Sequence, residues 1–268
     1  MSDQTQQIPE GSTRKHAERL LQQGDFLMAA ELVRQATGNE AWNRSIQDEF
    51  GQNGDISDLH RSLMALRQRI ILTTNFDKFL EIAWRECNTE ARHHVQVSIG
   101  VTSDSFRALR DDKEHIFLLH GSVDKPDSMI FAKSDYNSKA YGSWEYRRFI
   151  ETLLMTHTLL FVGFSMNDPA ITFLIEMYAH HLPASRPHYI FTADEISPEF
   201  ITAAKTLRRL FVVPYNNTND HAELVEILNR YGQRAIERRR EIISDDWREI
   251  ESRYEAPLHS NLPRAETD

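Results

Sequence analysis

Three apolar runs in this chain each stop abruptly at a cluster of small or polar residues. They are ILTTNFD (Ile71 to Asp77), IFLLHGS (Ile116 to Ser122) and LLFVGFSMNDP (Leu159 to Pro169). Each run is rich in β-branched or aromatic residues and is short enough to be a strand. Segments with helical spacing separate and follow them, among them Phe76 to Cys87, Trp144 to Thr156 and Pro169 to His181. Strand, polar turn and helix in succession describe a parallel α/β sheet. In such a sheet ligands bind in the crevice outside the carboxyl ends of the strands. Three polar clusters delivered to one edge therefore describe a site as well as a core.

The rest of the chain fits around that sheet. Residues 1–12 are polar and read as a disordered start, and Thr13 to Phe50 reads as helices, with Asp25 as an N-cap and Gly38 as a C-cap. A further amphipathic helix is expected over Ile56 to Leu66. Strands are expected at Arg69–Thr74, Val95–Val101, His115–Leu119, Ser128–Ala132, Thr158–Val162, His188–Thr192 and Leu210–Pro214, with a helix over Pro198–Leu207. From Asp220 the chain is helical and heavily charged, and it ends in a polar tail. The expected fold is α/β, a Rossmann-like, mostly parallel sheet with helices on both faces and extra helices at both ends. The domain division that follows is N-terminal helices at 13–55, a sheet core at 56–235 and a charged appendage at 236–268.

Composition narrows the function classes. Apolar residues make up 40% of the 268, enough for a substantial core. No stretch approaches the roughly 18 apolar residues of a membrane span, and the N-terminus carries no apolar signal segment, so a cytoplasmic protein is expected. Cys87 is the only cysteine. It reads as a core thiol at a helix end, and one cysteine builds neither a disulfide nor a four-cysteine zinc site. The adjacent pairs His93–His94 and His180–His181 read as surface histidines rather than metal ligands. The net charge of −9 opposes a dedicated binder of nucleic-acid phosphates.

Each motif has two readings on its residues alone. Thr74 or Asn75 can cap the helix that follows, with Asp77 favouring its dipole. Equally, an asparagine there can orient a water or an amide. His120 is either a satisfied core histidine or a general base, with Gly121 allowing a ligand close to the backbone. Asp168–Pro169 is a ready N-cap, while Gly163 and Ser165 suit a ribose or phosphate at a helix N-terminus.

In this order and spacing the three motifs resemble the sirtuin-like family, and most closely its prokaryotic defence-associated branch. The segments FAKSDYNSKAYGSW (Phe131 to Trp144) and VVPYNNTNDHAEL (Val212 to Leu224) extend the resemblance over roughly Leu59 to Tyr231. It implies a domain that cleaves NAD and releases nicotinamide in antiphage defence. Asn75 would position the attacking group near the nicotinamide ribose, and His120 would act on the ribose hydroxyls. Asp77 would hold the nicotinamide end, and Gly163 and Ser165 would contact the adenosine side. With Thr73, Thr74, Gly121 and Asp168 they complete the expected NAD-contacting set. The expected partners are NAD or ADP-ribose, and a second copy of the chain or a partner defence protein.

Two departures qualify this expectation. Peptide-deacetylating members carry a four-cysteine zinc module, which one cysteine cannot build, so no zinc is expected and water is the expected acceptor. The family also opens with a strand and a Gly-Ala-Gly-x-Ser loop that cradles the NAD diphosphate, and no such motif precedes Thr74. Three readings stay open: a truncated homologue, a domain completed by another chain, or a degenerate copy. The last corresponds to a binding or assembly module that meets ADP-ribose-like ligands weakly or not at all.

Overall fold

The structure is a computed structural model, described for residues 11–51, 54–89, 94–193 and 196–254, with side chains of the last helix described only through Arg238 and at Glu241. Residues 1–10 of the expected disordered start lie outside the described residues. Three helices come first: α1 (Ser12–Gln22), α2 (Phe26–Thr37) and α3 (Asn39–Phe50). The carboxylate of Asp25 accepts from the Met28 N–H at 3.1 Å and starts α2. Gly38, at φ 82°, ends it.

The three helices bury Ala17, Ala30, Val33, Trp42 and Ile46 against Met129 and Ala132, with Phe50, Phe76 and Phe131 packed alongside. Phe76 directly follows Asn75, so this helical layer clamps the loop after the first strand. An ion network adds to the clamp. Arg34 on α2 pairs with Glu31 at 2.9 Å and with Asp135 at 3.1 Å, all with side chains 11–18% exposed.

The parallel sheet follows in two groups of three strands. Helix α4 (Asp58–Ala65) is capped reciprocally by Ser57 and His60. It leads into β1 (Ile70–Thr73), α5 (Phe79–Cys87), β2 (Gln96–Ile99) and β3 (His115–Leu118). β3 is central and wholly buried, with β1 and β2 parallel to it on either side in the register Ile70 to His115 and Gln96 to His115.

After a turn at Lys133–Asp135 and a wide π-type turn at Tyr136–Tyr141 come α6 (Trp144–Thr156), β4 (Leu160–Phe161), α7 (Pro169–His181), β5 (His188–Thr192), α8 (Pro198–Arg208) and β6 (Leu210–Pro214). β5 is central here, between β4 and β6. The last helix, α9 (Thr218–Tyr254), opens with three left-handed residues, Asn219, Asp220 and His221. It continues through residue 235, where the sequence suggested a domain boundary.

Shared helices join the two strand groups. On one face, Phe149, Ile150, Leu153 and Leu154 of α6 belong to one cluster with Ile70 and Leu72 of β1 and Phe161 of β4. On the other, Leu63 of α4 belongs both to the cluster that holds Ile71, Ile116 and Leu118 and to the cluster that holds Val162, Phe191 and Val213. The result is the expected α/β fold, a Rossmann-like layering of parallel strands between helices. No helix among the described residues is long and apolar enough to cross a membrane.

Three local expectations change. Ser128–Ala132 forms no strand: Pro126 starts a tight turn, and only Ile130 reaches back to the sheet edge, donating to the His120 carbonyl at 2.9 Å. The most apolar run, Thr158–Val162, contributes only two laddered residues, Leu160 and Phe161, which pair with β5, and Leu160 is exposed. Cys87 is exposed at the end of α5 and is not a core thiol.

Candidate active site

The carboxyl ends of β1, β3 and β4 deliver the three motifs. β1 and β3 are tied at their ends, with the Leu119 N–H donating to the Thr73 carbonyl at 2.8 Å. Beyond β1 the Asn75 N–H donates to Thr73 Oγ1 at 3.0 Å, and Asp77 Oδ1 accepts from the Phe79 N–H at 3.0 Å. These two bonds shape the turn before α5, so the Thr73 and Asp77 side chains serve the local fold. Thr74 and Asn75 do not cap the helix. Among the described residues neither side chain has a hydrogen-bond partner, and Asn75 is exposed at the strand end. Its carboxamide is free to meet a ligand.

His120, the second residue beyond β3, is 4% exposed. The ring of Tyr136 meets it edge-on with centroids 5.6 Å apart, and the ring of Tyr146 on α6 lies 6.5 Å away. Its Nε2 lies 3.2 Å from Asp168 Oδ2 and 3.3 Å from the Tyr146 hydroxyl. Asp168 in turn accepts from the Ile171 N–H at 2.7 Å, capping α7, and from the Tyr136 hydroxyl at 2.7 Å. One buried cluster thus joins the end of β3, the wide turn, α6 and the start of α7. It brings together His120 and Asp168, which the sequence separates by 48 positions.

Electrostatics follow from burial. Burial lowers the His120 pKa below the ordinary histidine value, and the Asp168 carboxylate opposes that shift. Burial, helped by Asp168, raises the pKa values of the Tyr136 and Tyr146 hydroxyls, so both keep their protons, and Tyr136 donates its own to Asp168. Sequence reasoning missed these two tyrosines. Tyr136 lies in a polar stretch and Tyr146 reads as helix core, and neither has local spacing that points to a histidine.

The glycines divide. Gly121 is buried at φ 88°, and a Cβ there would sit 2.5 Å from the Ser128 carbonyl oxygen. Its freedom serves the approach of Ser128 rather than of a ligand. Gly163, at φ 63°, is exposed with nothing within 4 Å of where a Cβ would stand, and Ser165 beside it is also exposed. The strand end at β4 is therefore open to a ligand, while Gly121 and Asp168 are enclosed.

Among the described residues no group of three His, Cys, Asp or Glu side chains is placed to hold a metal ion. His94, His180 and His181 are exposed, and His93 lies outside the described residues.

A family profile described as "SIR2-like domain" matches residues 69–215, from the residue before β1 to the residue after β6. The chain belongs to the SIR2-like domain family. The matched span contains every strand of the described residues and all the motif residues, and it excludes α1–α4 and α9. Curated relatives include proteins named NAD(+) hydrolase ThsA. One, from Enterococcus faecium, is 27% identical over 210 residues, covering 69% of this chain and 42% of that protein. Another, from Bacillus cereus (strain MSX-D12), is 27% identical over 201 residues, covering 70% of this chain and 41% of that protein. A protein of Bacillus subtilis named Defense-associated sirtuin 2 is 19% identical over 154 residues, covering 56% of this chain and 15% of that protein. The chain thus spans less than half the length of these relatives.

Proposed function

We propose that this SIR2-like domain cleaves NAD, with water as acceptor, in bacterial antiphage defence. The observation that carries the reading is what the ends of β1, β3 and β4 offer: an exposed Asn75 carboxamide, a buried His120 whose pKa burial lowers, and exposed Gly163 and Ser165. The names of the relatives support the same substrate.

In this reaction the bond between ribose C1′ and the nicotinamide nitrogen breaks, and its electron pair leaves on nicotinamide. A water oxygen bonds to C1′ and gives up a proton, so the products are nicotinamide, ADP-ribose and one proton. Asn75 orients the water, and His120 accepts a proton at the ribose hydroxyls or the incoming water as positive charge builds on C1′. Thr74 and Asp77 border the nicotinamide end, and Gly163 and Ser165 the adenosine side. Zinc has no part in the reaction. The domain works in the cytoplasm, as an oligomer or with a partner defence protein, with residues 13–235 as one unit and 236–268 as an appendage.

Asn75→Ala tests the reading. Losing the group that positions the nucleophile is expected to cut nicotinamide release by about 10²-fold or more, measured by chromatography of the reaction mixture, with folding unchanged because Asn75 is exposed. Full activity in the variant would sink the proposed site.

One observation favours a second reading. Among the described residues β1 and β4 each pair on one side only. A sheet left open there suits a module that binds ADP-ribose-like ligands without turnover. Calorimetry with NAD and ADP-ribose separates the two, since tight binding without nicotinamide release fits only the second.

A further inference from the structure

Asp168 has the environment of a group that holds another in place. Its side chain is 7% exposed, and both oxygens are engaged: Oδ1 by the Ile171 N–H, and Oδ2 by the Tyr136 hydroxyl and His120 Nε2. A buried carboxylate is tolerated only where donors surround it. Among the described residues no lysine or arginine pairs with it. The groups facing this cluster are Asp168 from the start of α7, Tyr136 and Tyr141 from the wide turn, and Tyr146 from α6. His120 Nε2 therefore faces two oxygens, the Asp168 carboxylate and the Tyr146 hydroxyl. With a proton on Nε2, the carboxylate gains a third donor. Without one, a lone pair would face a carboxylate oxygen at 3.2 Å.

We propose that Asp168 is a positioning residue that fixes His120 in the tautomer protonated at Nε2, leaving Nδ1 as the nitrogen that meets the ligand. No described residue hydrogen-bonds Nδ1, and Nδ1 is not among the sealed polar atoms left without a partner. The role of a neutral imidazole is set by which nitrogen carries the proton, and a partner on one nitrogen decides it. Asp168 thereby acts on the reaction through His120 and does not touch NAD. The identity of the ligand rests on the NAD-cleavage reading, whereas the tautomer does not.

The experiment is long-range 1H–15N NMR of histidine-labelled protein, with kinetics, on the parent and on Asp168→Asn. Asparagine keeps the helix cap, but its amide donates to Nε2 and drives the proton to Nδ1. In the parent the His120 signals are expected to show a protonated Nε2. In the variant the proton is expected on Nδ1, with kcat down by about 10²-fold and KM little changed. The acid limb of its residual pH profile is expected to move to lower pH, because the carboxylate no longer raises the His120 pKa. Tyr136→Phe keeps the His120–Asp168 contact, and its His120 is expected to retain the parent tautomer, which provides a readout if Asp168→Asn fails to fold. A parent His120 protonated on Nδ1 would overturn the proposal, as would a Tyr136→Phe protein with that tautomer. So would an Asp168→Asn enzyme with raised KM and intact kcat, which would make Asp168 a ligand contact. A protein that releases no nicotinamide at all would defeat the NAD reading, and the NMR result would still decide the tautomer.

Discussion

His120→Gln is expected to lower kcat/KM for NAD by about 10²- to 10⁴-fold, the range that a positioned general base contributes. Glutamine keeps an amide donor for Asp168 and fills most of the ring volume, so the loss reads on chemistry more than on folding. The pH profile carries the sign of the effect. A base works only while it is unprotonated, so activity holds above the His120 pKa and falls below it. Burial lowers that pKa and Asp168 partly restores it. The acid limb of kcat/KM is therefore expected below the ordinary histidine value of about 6.5, and it should vanish in the glutamine variant. An acid limb well above that value, or full activity in His120→Gln, would remove His120 from the mechanism.

Gly121→Ala carries the largest expected loss of stability, about 3–5 kcal/mol. The new Cβ would meet the Ser128 carbonyl oxygen at 2.5 Å and its carbon at 2.6 Å, in a backbone held at φ 88°. The left-handed conformation alone costs a non-glycine residue about 1–2 kcal/mol. Ser128 has little room to retreat: its N–H donates to the Lys125 carbonyl at 2.8 Å, and its hydroxyl both donates there and accepts from the Ser122 N–H. A typical domain has a total stability of about 5–15 kcal/mol, so a large part would be lost and His120 would shift with it. The shift of the urea midpoint at constant slope measures the effect. A loss below about 1 kcal/mol would mean that the turn re-forms around the methyl group.

Much of the fold was legible in the sequence because local pattern and tertiary context agree there. Pro169–His181 starts with an Asp-Pro cap and runs as one apolar helix. His188–Thr192 and Leu210–Pro214 are β-branched or aromatic runs between turn formers, and all three elements have the bounds that the pattern gives. β4 was harder to read. Its apolar run suggests a long strand, but only Leu160 and Phe161 find ladder partners, both on β5. Thr74 and Asn75 look like caps, yet the helix begins after Lys78 with no side-chain cap, and Asp77 only closes the turn before it. The buried cluster was the least legible part. Tyr136 and Asp168 are 32 residues apart, and His120 and Tyr146 are 26 apart, so only the crossing of the chain brings them together. Sequence spacing shows Asp168 as a helix cap. The structure adds that its second oxygen faces a histidine.

The most direct measurement is the product balance when the purified protein is incubated with NAD. Nicotinamide and ADP-ribose are expected to appear in equal amounts as NAD disappears. NAD left intact by folded protein, with neither product formed, would contradict NAD cleavage by this domain.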